Sequence, residues 1–454
     1  MRRYWHFLGI DRTVSSILIG RLWSLMSGPF NIVLLATCLS PEEQGYYYAF
    51  LGVAGISVFF ELGLGVVLTQ FFSHEYARLE WNVAGQLEGE PEAKRRIASI
   101  LRTAIFVYAL ISLISVPVIL GSGIWFFGRI EAHENLNWFV PWILLTILVG
   151  VAGGATPMTT FISGCGRLGE LAKIQAIATI VASIGFWIAL YAGMGLYAIC
   201  ISLFLSSIIL WWWCLSQSFN AFMDLMKTDN SHVPFSWSIE VWPMQWRIAV
   251  SWLAGYFTFQ AIPPIIFQTH GAIEAGKVGM TIGISYTIGS IGSTWINANV
   301  PKFGELASSR KLAELNSLFK SSLTRSVFFI AFAGFVLVFT LFVAGQYKAP
   351  FLEKMLPPGP FALVIASALA ATVMYAESCY LRSFKQEPLM PVTMICSICT
   401  ILTIAMTPPK DYWFFGIGML AANAVIGLGF GTFVFFRSCN RLAKRPCTTC
   451  NIDV

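Results

Sequence analysis

The chain has 454 residues, 56% of them hydrophobic and 11% charged, with a mean hydropathy of +0.70. A soluble domain carries about 25% charged residues, so a water-soluble globule of this size is excluded, and an aromatic content of 15% excludes disorder. Apolar runs extend from residue 14 to residue 436, too continuous for the alternating strands of a membrane β-barrel, which leaves an all-α polytopic membrane protein.

At about 20 apolar residues per crossing, twelve spans are predicted: 14–39, 46–72, 103–128, 138–162, 174–192, 195–216, 248–269, 278–300, 326–344, 359–381, 389–407 and 413–436. With both termini cytoplasmic, the cytoplasmic pieces hold 23 of the 29 lysines and arginines and the external loops five. Net charge is then +9 inside and −2 outside, as the positive-inside rule requires. Anionic inner-leaflet lipid accounts for this basic excess without a nucleic-acid partner. The first apolar run is long enough to span and has no small-residue cleavage site after it, so no cleavable signal is expected. No loop has room for a nucleotide-binding domain, and no G-x-x-x-x-G-K-[ST] phosphate loop occurs.

Taken in chain order, the first span carries Arg21 and Asn31 and leads into the turn Ser40-Pro41-Glu42-Glu43-Gln44-Gly45. The second span carries Glu61, which with Arg21 and Glu377 completes the charges set within spans. A charge in hydrocarbon costs several kcal/mol unless paired or wet, so each is a site candidate. Arg21 lies roughly 10 Å from the cytoplasmic edge and Glu61 roughly 16 Å, so an ion pair between them is one reading. In the other, Arg21 is a diphosphate anchor, because a guanidinium grips phosphate oxygens as a fork, and Glu61 is an ion-coupling site. Arg167 and Lys173 stand at the exit of the fourth span and Arg247 at the entry of the seventh, as vestibule and substrate-binding cations or as ordinary positive-inside anchors. The joint at 217–247, rich in tryptophan (Trp237, Trp242, Trp246), reads as interfacial. Gln260 and Asn297 join Asn31 as amides suited to sugar hydroxyls or to gluing helices together. Pro263 and Pro264 are expected to kink the seventh span and act as a hinge. Glu377, near the cytoplasmic end of the tenth span, is a second ion-coupling candidate, with pairing to Arg382 as the alternative. Cys396/Cys399 and Cys447/Cys450 form C-x-x-C pairs too far apart in the sequence for a four-ligand zinc loop, and no metal site is expected. His133 with Glu131 and Glu134 reads as a solvated external cluster.

The halves repeat. Glu43 and Gly45 recur as Glu274 and Gly276 at an offset of 231 residues, and Phe72 and His74 match Phe303 and Glu305 at that offset. Glu170 and Glu387, after the fourth and tenth spans, are 217 apart. Six spans per half make the repeats parallel. The expected organisation is an N-terminal six-helix lobe (1–216), a cytoplasmic linker (217–247), a C-terminal lobe (248–436) and a basic cytoplasmic tail (437–454), with the two pseudo-symmetric lobes around a central cavity.

Three runs carry a resemblance: Leu39-Ser40-Pro41-Glu42-Glu43-Gln44-Gly45-Tyr46-Tyr47-Tyr48; Glu61-Leu62-Gly63-Leu64 leading to Gln70-Phe71-Phe72-Ser73-His74-Glu75; and Leu381-Arg382-Ser383-Phe384-Lys385-Gln386-Glu387-Pro388. Together with the twelve-span plan they resemble the O-antigen and capsule precursor flippases of the multidrug/oligosaccharidyl-lipid/polysaccharide exporter superfamily. The resemblance implies a secondary transporter of the bacterial inner membrane, not an enzyme. Its substrate would be a polyprenyl-diphosphate-linked oligosaccharide, moved from the cytoplasmic to the external leaflet by alternating access. It further implies membrane lipids, a polysaccharide polymerase and glycosyltransferases as partners, no bound cofactor, and a proton or sodium gradient as the driving force. Relatives that flip diphosphate lipids place first-span arginines in the cavity, as Arg21 would be. Multidrug relatives often carry acids in the first or seventh span; here the first carries Arg21 and the seventh none. The competing functions are a multidrug or small-amphiphile exporter of the same superfamily and a membrane polysaccharide polymerase.

Overall fold

The computed structural model describes residues 12–129, 136–228, 256–257, 260–347, 350–384 and 386–443; the side chains of a few residues inside its helices, Arg21 and Glu305 among them, fall outside that description. The Trp-rich part of the joint, Arg247, the His133 cluster and the Cys447/Cys450 pair also lie outside the described residues. The chain divides into two compact units, Met1–Tyr256 and Phe257–Val454.

In the first unit, α1 (Arg12–Cys38) is followed by a turn that Ser40 and Glu43 close reciprocally. The Glu43 amide donates to Ser40 Oγ (3.1 Å) and the Ser40 amide to Glu43 Oε2 (2.8 Å), a capping box satisfying two orphan donors. The second span is not one helix. It runs as α2 (Pro41–Ala54), a 3-10 turn (Gly55–Ser57) and the short α3 (Val58–Glu61), then breaks before α4 (Leu64–Tyr76) with a bend of 43°. Long helices follow: α5 (Pro91–Phe127), α6 (Phe139–Gly154) with α7 (Thr156–Ile162), α8 (Leu168–Tyr191) and α9 (Tyr197–Lys227). The fourth and fifth spans join at a reversal in Ser163–Arg167, where Gly166 takes φ +82°, a conformation that costs glycine little. Helix α9 runs eleven residues past the expected end of the sixth span, so the joint begins as helix rather than as loop.

Among the described residues, one element departs from helix. Between the second and third spans, β1 (Leu79–Trp81) pairs antiparallel with β2 (Leu87–Gly89). Its turn is held by Asn82, whose Oδ1 accepts the Gln86 amide at 2.8 Å, while Gly85 supplies a positive φ. The hairpin is pinned to the membrane helices: Trp81 Nε1 donates to the Cys165 carbonyl at 2.7 Å and Asn220 Nδ2 to the Ala84 carbonyl at 3.1 Å.

The second unit contains α10 (Ile262–His270), α11 (Ala272–Asn297), α12 (Val300–Ser308), α13 (Leu312–Gln346), α14 (Pro358–Arg382), α15 (Met390–Met406), α16 (Tyr412–Ala421), a wide-turned π segment (Ala422–Phe430) and α17 (Gly431–Ala443). Among the described residues, six helical runs are long and apolar enough to cross a membrane alone, and the bent α2–α4 run makes a seventh. One of the six, Phe139–Tyr191, holds two predicted spans joined at the Gly166 reversal. Phe328, Phe332, Phe335, Phe339 and Phe342 form an exposed stripe along α13 at helical spacing, the surface lipid would cover.

Each unit uses the same neighbour scheme. In the first, span one packs on five (α1 on α8), two on three (α4 on α5), three on four (α5 on α6), and six on five and four. In the second, seven packs on eleven (α10 on α15), eight on nine (α11 on α13), nine on ten (α13 on α14), and twelve on eleven and ten. The matched residues fall at equivalent joints. Phe72 and Phe303 are both fully buried, each inside its own unit's hydrophobic core with residues such as Phe161 or Phe319 against it. Arg167 bonds Glu170 just as Arg382 Nε bonds Glu387 (both 3.1 Å). Glu43 lies against Gly195, where a Cβ would come within 2.6 Å of its Oε1, and Glu274 accepts the Tyr412 hydroxyl at 2.6 Å. Gly195 and Tyr412 are themselves 217 residues apart, so the two turn glutamates meet corresponding positions.

Candidate functional site in the N-terminal unit

The break in the second span decides where Glu61 lies. Leu62 (φ 49°) and Gly63 (φ 70°) are consecutive left-handed residues. Glycine accepts this freely and leucine at a cost of roughly 1–2 kcal/mol. The chain therefore turns immediately after Glu61, and the carboxylate folds over the first turn of α4, so close to Gly65 that a Cβ there would sit 3.2 Å from Glu61 Oε1. The first amides of a helix are unpaired along its axis and attract negative charge. The Tyr108 hydroxyl on α5 donates to Glu61 Oε1 at 3.0 Å. Among the described residues no lysine, arginine or histidine nitrogen lies within ion-pairing distance of Glu61.

This carboxylate opens into a cavity of about 290 Å³ framed by the second, third and fourth spans. Ser57 and Glu61 come from the broken span, Tyr108, Ser112 and Ser115 from one face of α5, and Thr156 from the start of α7. Gly150 and Gly153 on α6 add no side chain to fill it. The residues at 108, 112 and 115 follow helical spacing. The sequence signal for this cavity is therefore a polar stripe within the apolar third span, a feature absent from the predicted site residues.

The other predicted residues are dispersed. The Arg21 backbone belongs to α1, while its side chain and all of Arg247 lie outside the description. Asn31 does not face open space: its Oδ1 accepts the indole N–H of Trp187 on α8, tying the first span to the fifth. Asn297 accepts the Tyr375 hydroxyl at 2.6 Å, tying the eighth to the tenth. Gln260 is exposed in the turn before α10. Pro263 and Pro264 occupy the first turn of α10, where missing amides break no hydrogen bond. Arg167 is held by Glu170 and stacks over Trp81 at 5.2 Å, and Lys173 is exposed. Glu377 is 4% exposed and accepts the Thr432 hydroxyl on Oε1 at 2.8 Å. Among the described residues its Oε2 has no hydrogen bond, and Arg382, the alternative partner in the sequence, turns to Glu387 instead. The alternative of an ion pair with Arg382 is thereby corrected. The Cys396/Cys399 pair has no further metal-binding companions among the described residues.

No protein-family model matches the sequence, and no curated protein matches it. By structure the chain is similar to the inward-facing conformation of a multidrug resistance MATE family transporter of the MOP superfamily (TM-score 0.66, 13% identity, 96% of this chain and 99% of that one). It is also similar to the lipid II flippase MurJ in an inward closed conformation (TM-score 0.58, 14% identity, 93% of this chain and 87% of that one). A third likeness is to a complex of the MATE multidrug transporter DinF-BH (TM-score 0.57, 14% identity, 95% of this chain and 96% of that one). These likenesses span nearly the whole chain and establish a shared fold.

Proposed function

We propose that this protein is a membrane flippase that moves a polyprenyl-diphosphate-linked oligosaccharide to the external leaflet by alternating access, for surface polysaccharide assembly. The observation that carries this reading is where the flippase-like runs fall. The first is the capping-box turn before α2, the second is the break at Glu61, and the third is the Arg382–Glu387 joint after α14. Residues that resemble a polysaccharide-precursor flippase are thus the ones that shape the lobes of a transporter fold. A lipid II flippase among the structural neighbours favours a lipid-borne substrate. Arg21 in the first span is the candidate grip on the diphosphate, since a guanidinium keeps its charge and binds phosphate through two parallel N–H groups.

A deletion strain tests this. It is expected to accumulate lipid-linked oligosaccharide on the cytoplasmic face and to lose surface polysaccharide, with both restored by the wild-type gene. Normal surface polysaccharide in a strain without a second flippase contradicts the reading. Multidrug export is the second reading, favoured by the two multidrug transporters among the neighbours. It expects the same deletion to sensitise cells to amphiphilic cations and leave surface polysaccharide intact.

A further inference from the structure

We infer that the C-terminal unit binds one buried water molecule among its eighth, tenth and twelfth spans, held by Asn423 and Ser285. The Asn423 amide sets the site. It is the second residue of the π segment (Ala422–Phe430) and is 3% exposed. Its Nδ2 donates to Ser367 Oγ on α14 and to the Met419 carbonyl on α16, each at 3.0 Å, which uses both amide hydrogens. The partners of an asparagine decide which end is oxygen. Here a carbonyl only accepts, and the Ser367 hydroxyl already donates to that same Met419 carbonyl at 3.2 Å. Oδ1 is therefore the other end, and among the described residues it has no hydrogen bond. An acceptor buried in that state costs free energy, and the surrounding hydrocarbon has no water to lend it.

Asn423 lines a cavity of about 20 Å³. A water needs roughly 10–15 Å³ of such space and at least two polar partners, so the cavity takes one. The second partner is Ser285 on α11, which lines the same cavity and is 3% exposed. Its hydroxyl donates to the Thr281 carbonyl at 2.8 Å and, among the described residues, accepts no hydrogen bond. A water can then give one hydrogen to Asn423 Oδ1 and the other to Ser285 Oγ. No acid lines the cavity, so a metal ion would enter without a counter-charge, and the volume excludes an organic molecule. The bridge also has a place in the fold. Helices α11 and α16 each pack on α14, and the water joins the eighth span to the twelfth across the tenth. Helices distort where a water or side chain enters their hydrogen-bond ladder, and the wide turns of the twelfth span begin beside this residue, at Ala422.

The site does not depend on what the protein carries, so its test is made on the purified full-length protein without a transport substrate. An experimental map fine enough to show ordered water is expected to hold a peak about 2.5–3.0 Å from both Asn423 Oδ1 and Ser285 Oγ. Both side chains ordered with no peak between them overturns the site. Melting in detergent gives a second reading through a pair of variants at Ala371, which lines the cavity. Ala371→Thr and Ala371→Val add nearly the same volume and displace the water, but only threonine brings a hydroxyl that can donate to Asn423 Oδ1. Ala371→Val is expected to melt several degrees below Ala371→Thr. In an Asn423→Leu background the acceptor is gone, and that order is expected to vanish or reverse. Should Asn423→Leu fail to fold, the map and the Ala371 pair decide. Where the map does not reach ordered water, two melting results overturn the site. One is Ala371→Val melting at or above Ala371→Thr, as a dry apolar cavity would have it; the other is an order that survives Asn423→Leu unchanged.

Discussion

Glu61 and Arg21 are both legible in the sequence as charges inside apolar runs, and the structure describes the surroundings of Glu61. Glu61 is recognisable because a carboxylate in a span is rare; its partner Tyr108 is not, because a tyrosine in an apolar helix is ordinary until its hydroxyl is seen to donate at 3.0 Å. Asn31 and Asn297 show the opposite failure. An amide suits a sugar hydroxyl and an indole or phenol equally well, and here Trp187 and Tyr375 take them. Two predictions belong to this scale. Replacing Gly63 with valine forces a β-branched residue to φ 70°, which should cost more than about 1 kcal/mol. It should also lower the melting temperature in detergent; an unchanged value would show that the break relaxes without strain. For Arg21, Arg21→Ala is expected to abolish surface polysaccharide at normal expression and Arg21→Lys to reduce it only partly, because the lysine keeps charge without the fork. Full complementation by Arg21→Ala would remove Arg21 from the site.

At the scale of elements, helices are readable from apolar length, and their extents are not. Helices α5, α9 and α13 continue beyond the predicted spans because polar sequence such as Pro91–Arg102 remains compatible with helix. The hairpin at 79–89 is hidden in the sequence because three-residue strands leave almost no alternation to detect. Its attachment is testable. Trp81→Phe keeps an aromatic ring and deletes the bond to the Cys165 carbonyl, leaving an acceptor at the Gly166 reversal unsatisfied, at an expected cost of about 1–3 kcal/mol. Thermal unfolding should detect this as a lower midpoint, and an unaltered midpoint would mean that water replaces the indole. Packing of α5 on α6 offers a sharper case. A Cβ at Gly123 would fall 2.1 Å from the Trp142 ring, which is fully buried. Gly123→Ala should therefore destabilise the protein although alanine is the better helix former; a neutral or stabilising effect would show that the ring can move.

For the whole molecule, the repeat is visible in the sequence as two offsets, 231 and 217. The physical reason it is visible is that the matched residues sit at joints: a buried phenylalanine, an arginine-bound glutamate and a turn glutamate recur where each unit's spans begin and end. Surfaces facing lipid carry no such constraint, and there the halves share only apolar character. The substrate is the least legible feature, because neither the repeat nor the fold distinguishes a lipid-linked sugar from a drug. That distinction is open to one direct measurement. Purified protein is reconstituted into vesicles holding a polyprenyl-diphosphate-linked oligosaccharide, and a membrane-impermeant glycosidase is added outside. The account predicts that the protected inner-leaflet fraction becomes cleavable with time in vesicles containing wild-type protein and remains protected in vesicles containing Arg21→Ala or no protein. Protection that persists with wild-type protein, in vesicles that export an amphiphilic cation, would contradict it.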